Sequence, residues 1–138
     1  MLEREAFVRL QRTAGLLMDE LATELKPFGL TATHFNVLRI LRGAREGGLN
    51  LGEIAARMIR REPDMTRLIE RMAKRGWVTR ERGENDRRQV RVRISGAGET
   101  LLGQVDPVVA RFEKQRLKCL PAADLAELIR MLDTLRER

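Results

Sequence analysis

Between Arg57 and Arg93 the chain carries thirteen cations, all of them arginine except Lys74, against six carboxylates. That balance of +7 equals the formal charge of all 138 residues, so the remainder is neutral and the whole excess lies in one segment. A planar guanidinium fork pairs with phosphate oxygens and base edges in a way that an ammonium point charge does not. An arginine concentration of this kind points to a polyanion as partner, where scattered charge would read as a solvated face. It includes "RGENDRRQVRVRIS", residues 82–95, where Asp86, Arg87 and Arg88 stand between a charged turn and an alternating apolar run.

Other chemistry is sparsely provided for. With one histidine, one cysteine and no tyrosine, and with "GAG" too short for a phosphate loop, nothing assembles a triad or a metal site. No catalytic residue, metal or cofactor is expected. Cys119 has no second thiol to pair with. Lys114, Arg116 and Lys118 could lower its pKa in principle, but a plain half-buried cysteine is the expectation. His34 is read as a satisfied or exposed histidine at a helix start, and the six methionines as core filling.

These residues need a scaffold. A chain of 138 residues, 43% hydrophobic and 34% charged without low-complexity runs, suits one compact domain with extensions. Its apolar runs fall far short of the ~20 residues of a membrane span. The start "MLEREAFVRL" is charged where a signal peptide would be apolar, so a cytoplasmic protein with no membrane partner is expected.

Phe7, Leu10, Ala14, Leu17, Leu21 and Leu25 recur at spacings of three and four, one stripe of a long helix that Pro27 ends. Thr31 reads as the N-cap of a second helix burying Phe35, Leu38 and Leu41. Asn50 caps a short helix with Leu51, Ile54 and Met58 on one side. After a tight connection another helix follows, with Pro63 in its first turn, Asp64 near its positive end and Gly76 as its terminator. Met65, Leu68, Ile69 and Met72 face inward, which leaves Arg60, Arg61, Thr66, Arg67 and Arg71 outward or at the N-terminal tip.

"WVTRERG" and "QVRVRIS" alternate as the strands of a hairpin, with Val90, Val92 and Ile94 on one face and residues 83–88 in the turn. Trp77 opens the hairpin and reads as core. Three helices followed by a hairpin make a winged helix, with Asp86, Arg87 and Arg88 at or near the wing tip. A long C-terminal helix follows, for which Pro107 predicts a kink or break near residues 103–106, and a last helix carries Leu125, Leu128, Ile129, Leu132 and Leu135.

The predicted class is mainly α with a small β-hairpin (α+β). A winged helix-turn-helix lobe at 30–95 is flanked by an N-terminal helix within 1–29 and helices within 96–138. The lobe offers too little surface to cover the flanking stripes, which predicts a homodimer through the terminal helices.

"GLTATHFNVLRIL", "LGEIAARM", "PDMTRLIERMAKRGWVTR" and "DRRQVRVRISGAG", in this order, resemble the multiple antibiotic resistance regulator (MarR) family of bacterial transcription factors. The resemblance covers nearly the whole chain. It implies an obligate homodimer whose recognition helices enter successive major grooves of a pseudopalindromic double-stranded DNA operator, with wings in the flanking minor grooves. Arg67 matches the family's recognition-helix arginine, with Asp64 and Thr66 beside it. Asp86 and Arg88 match the wing's Asp-x-Arg, in which the arginine enters the minor groove and the aspartate orients it. A local ion pair that merely stiffens the turn is the alternative for these two. Arg87, Arg91 and Arg93 then read as phosphate contacts, and Arg60 and Arg61 can meet either phosphate or bases.

Relatives often bind small phenolic or other amphipathic effectors in a crevice beside the dimerisation helices. Here the scarcity of aromatic residues leaves little for stacking such a molecule. The rival reading is a weakly specific, architectural DNA binder without effector control. An enzyme lacks the residues, and a winged helix built for protein contacts should lack the basic wing.

Overall fold

The computed structural model describes residues 1–44, 46–82 and 89–137. Helix α1 (Leu2–Leu25) leads through a 3-10 turn (Lys26–Phe28) to α2 (Ala32–Arg42), α3 (Leu51–Arg57) and α4 (Met65–Lys74). Strands β1 (Val78–Arg82) and β2 (Val90–Ile94) follow, then α5 (Gly96–Leu117) and α6 (Ala122–Arg136). The result is mainly helical with one antiparallel hairpin, as the patterning predicts.

The caps explain where the helices begin. Thr31 Oγ1 accepts the His34 N–H at 3.1 Å and His34 Nδ1 accepts the Thr31 N–H at 3.3 Å. This is a capping box with an imidazole in the place usually held by Glu or Gln. Asn50 and Glu53 exchange the same two bonds at 2.8 and 3.2 Å to open α3. Asp64 Oδ1 accepts the Arg67 N–H at 3.0 Å to open α4.

That last cap corrects two expectations. Pro63 precedes the capping residue and lies outside α4, and the connection between α3 and α4 spans residues 58–64, longer than a tight turn. Asp64 caps from a non-helical backbone (φ −131°, ψ 81°), so the first helical residue has to follow it. Pro63 in turn disfavours a helical conformation at Glu62, which keeps the stretch before it open.

In the hairpin Val78 pairs with Ile94, Arg80 with Val92 and Arg82 with Val90. A further backbone pairing comes from the turn before α3: Val92 N–H donates to Leu49 O at 2.8 Å and Leu49 N–H to Val92 O at 3.0 Å. Gly48 permits this approach, with φ at +71° and a position where any Cβ would stand 2.5 Å from the Val92 carbonyl oxygen. Gly76 takes φ +80° just past the end of α4, the C-terminal stop read from the sequence.

Phe35, Leu38 and Leu41 of α2, Ile54 of α3, Ile69 and Met72 of α4, Trp77 and Val92 are buried in one continuous core. Leu25 of α1 and Leu102, Val105 and Val109 of α5 extend that core toward the terminal helices. The Arg42–Asp106 ion pair joins α2 to α5, and Arg116 Nε of α5 meets Glu20 Oε2 of α1 at 2.5 Å.

Helix α5 continues across Pro107, so of the kink or break expected there the break does not occur. Pro107 and Gly103, four residues apart, are both exposed, so the carbonyl deprived of its N–H donor is open to water. Helix α6 buries no residue, and Phe7 of α1 and Leu135 of α6 are 62% and 69% exposed.

Candidate nucleic-acid interface

With Ile69 and Met72 buried, α4 turns Thr66, Arg67, Glu70, Arg71 and Lys74 to solvent. Arg60 and Arg61 are exposed on the connection that leads into it. Six of the residues singled out in this part of the sequence are therefore exposed at α4 or its approach, although Asp64 has its carboxylate engaged in the cap. The connection is itself anchored, because Ile59 donates its N–H to Asn36 Oδ1 of α2 at 2.9 Å. Asp86, Arg87 and Arg88 lie outside the described residues.

The arginine cluster is not of one kind. Arg91 Nη1 stands 3.5 Å from Glu53 Oε1 and 3.5 Å from the Gly48 carbonyl oxygen. Arg93 donates from Nε to Glu46 O at 2.8 Å and from Nη1 to Glu81 Oε2 at 2.7 Å. Both strap the base of the wing to the turn before α3. Arg75 lies over the Trp77 ring at 4.1 Å and donates to Gly29 O at 3.1 Å, closing the corner between α1 and α2. Arg80 stands 3.9 Å from Glu70. Sequence reasoning counted these arginines with the rest, since most of their partners, Glu46, Gly48, Glu53 and Gly29, are distant in the chain.

His34 and Trp77 pack their rings in a T-shaped arrangement, with centroids 5.3 Å apart. Burial, then the positive charges of Arg75 and Arg71, hold its pKa below the ordinary histidine value. The neutral ring is the form that can accept the Thr31 N–H.

Behind the interface lies a crevice of about 510 Å³ between α1, α2, α5 and the start of the 58–64 connection. Leu17, Leu21, Phe35, Met58, Val109 and Phe112 give it apolar walls. Asn36, Arg39, Arg60, Glu113 and Arg116 add polar groups. Phe35 and Phe112 are two of the four phenylalanines in the chain, so the crevice is better supplied with aromatic rings than composition suggested. His34 is not among its walls. Cys119 is exposed instead of half-buried, its Sγ 3.7 Å from the Arg116 carbonyl oxygen. Among the described residues no cluster of His, Cys, Asp or Glu could hold a metal ion. Among the same residues no helix is long and apolar enough to cross a membrane.

Residues 30–90 match the model of the MarR family. A MarR transcription factor from Planctomyces limnophilus is 35% identical, with 95% of each chain covered and a TM-score of 0.75. The chain belongs to the MarR family. Its membership brings the fold of DNA-binding transcriptional regulators, and the matched span runs from just before α2 to the first residue of β2. The fold is similar to that of the transcriptional repressor CouR, solved bound to a 23-mer DNA duplex: 25% identity, 94% of this chain and 90% of that one, TM-score 0.84. The uncharacterized HTH-type transcriptional regulator YwoH of Bacillus subtilis (strain 168) is 29% identical over 83% of this chain and 81% of its own.

Proposed function

We propose that this MarR-family chain is a homodimeric, sequence-specific transcriptional repressor released from its operator by a small amphipathic effector. The observation that carries the reading is the exposed face of α4, where Thr66, Arg67 and Arg71 project from a helix that is capped by Asp64 and keyed into the core by Ile69 and Met72. A rigid helix with an arginine-rich outer face suits a major groove. On this reading residues 30–95 form the DNA-binding lobe, Arg60 and Arg61 flank the groove, and Asp86 and Arg88 serve the minor groove.

The uncovered apolar side chains at both ends of the chain, Phe7 and Leu10 on α1 and Ile129 and Leu135 on α6, support dimerisation through these helices. A second copy places a second α4 for the other half-site, about one helical turn away. The crevice supports effector control, and its occupant has to prefer the geometry that does not bind DNA, or it shifts nothing.

The test is binding of the purified protein to DNA from upstream of its own gene, in physiological salt with excess unrelated competitor. A retained complex of one dimer on a pseudopalindrome supports the reading, and Arg88→Ala should weaken it strongly without altering the dimer or its melting. Binding that vanishes into competitor on every fragment points to a weakly specific, architectural binder. Salt dependence alone cannot separate the two, because phosphate contacts dominate both.

A further inference from the structure

Four of the carboxylates between Arg57 and Arg93 lie among the described residues, and three of them are hydrogen-bonded within the fold. Glu62 Oε1 accepts the Asp64 N–H at 3.3 Å, Asp64 Oδ1 caps α4, and Glu81 Oε2 accepts from Arg93 Nη1 at 2.7 Å. Glu70 differs. Its ion pair with Arg80 of β1 spans 3.9 Å, too long for a hydrogen bond, and among the described residues no group donates to either of its carboxylate oxygens. It is also the one acid among the five exposed residues of α4. At about 100° per residue it lies inside that stripe, with Thr66 one turn before it, Lys74 one turn after it, and Arg67 and Arg71 to one side.

A carboxylate on a DNA-facing stripe is repelled by the phosphates on both walls of the groove unless it meets a donor there. The major groove offers donors only on the cytosine N4 and adenine N6 amino groups, and on adenine the neighbouring N7 lone pair repels the second carboxylate oxygen. Cytosine carries no such acceptor on its own edge. We propose that Glu70 is a specificity-determining residue whose carboxylate accepts a hydrogen bond from N4 of one cytosine in each half-site. This rests on the DNA-binding reading above and names a base that α4 reads. Phosphate contacts supply affinity at any sequence, whereas Glu70 penalises base edges that present an acceptor at its position, so it discriminates by repulsion as well as attraction.

The experiment uses the full chain to select binding sites from a randomised duplex pool. The unaltered protein should hold cytosine at one position of each half-site by about 10-fold over the other bases. Glu70→Gln should move that preference to adenine, because an amide can accept from N6 and donate to N7 together, and the other positions should keep their bases. The selected cytosine is then replaced by 2-pyrimidinone, which lacks the amino group, and the duplex is titrated with the unaltered protein and with Glu70→Ala. Loss of the amino group should weaken the unaltered protein about 10-fold and the alanine protein less than about 2-fold, since any change in the duplex itself is common to both and cancels. Glu70 is exposed, and unchanged melting confirms that its variants leave the fold intact.

A Glu70→Gln protein that selects the same base at every position overturns the proposal. So does 2-pyrimidinone that weakens both proteins equally. Variants that bind every duplex more tightly by one common factor reduce Glu70 to a charge without a base contact. Altered melting with an unaltered base preference assigns it instead to steadying α4 through Lys74, four residues on. An unaltered protein that enriches no sequence takes down the sequence-specific reading and the cytosine contact with it. A selected site that Glu70 variants leave unchanged keeps that reading and removes Glu70 from it.

Discussion

The His34 imidazole and the Trp77 indole pack in a T-shaped arrangement at a centroid separation of 5.3 Å and an interplanar angle of 66°. The residue that completes the α2 capping box therefore also packs against the residue that leads from α4 into the wing. Arg75, from the far end of α4, covers the same indole. One small cluster thus joins the start of α2, the end of α4 and the root of β1.

That cluster makes stability depend on pH. The folded pKa of His34 is lowered by burial, Arg75 and Arg71, so the unfolded chain takes up its proton first as pH falls. Stability attributable to the neutral ring is complete above about pH 6.5, the unfolded value, and is lost progressively as pH falls from there through the lower folded value. Urea midpoints should drop between pH 7.5 and 5.5 more in the natural protein than in His34→Gln, whose amide can still close a capping box. Equal slopes in the two proteins would assign the pH response to other groups.

Gly48 is the second test. An alanine there meets the Val92 carbonyl oxygen from a left-handed backbone, and Gly48→Ala should cost about 1–3 kcal/mol in denaturant unfolding. The neighbouring Gly47→Ala has open space around its new Cβ and should stay within about 0.5 kcal/mol. Similar losses at both would mean that the Leu49–Val92 rung contributes little to holding the wing.

Asp64 separates a cap from a base contact. Asp64→Ala should lower stability by about 1 kcal/mol through loss of the bond to the Arg67 N–H, and Asp64→Ser should recover most of it. If DNA binding returns together with stability in the serine protein, the aspartate acts on DNA only by holding the helix end.

Arg67 is exposed and bonded to Asp64 only through its backbone, so Arg67→Ala should leave melting unchanged. Discrimination between the operator and a mismatched site should fall by about 1–3 kcal/mol. Unchanged discrimination in competition titrations would move the base contacts to other residues of α4.

Whatever depends on neighbours in the chain was legible without coordinates. Thr31 and Asn50 cap bonds that close three residues later, Gly76 ends α4, and the spacing of Phe35, Leu38 and Leu41 defines a buried face, because helix geometry repeats over three or four residues. Four motifs in order carried the family, and a charge excess confined to residues 57–93 carried the anionic partner. What depends on contacts between distant segments had to be seen. Arg91 and Arg93 alternate along β2 as phosphate-binding arginines would, yet the fold brings Glu53, Gly48 and Glu46 beside them. Pro107 predicted a kink or a break, and the helix runs on through it on an exposed face. The crevice that joins Arg39 to Arg60 exists only once α1, α2 and α5 have packed. Composition and periodicity thus determined the class of fold and the kind of partner, because both are set by local geometry and total charge. Tertiary packing alone decided which arginines are bound by the protein itself, because a guanidinium pairs with whatever acceptor the fold places within reach.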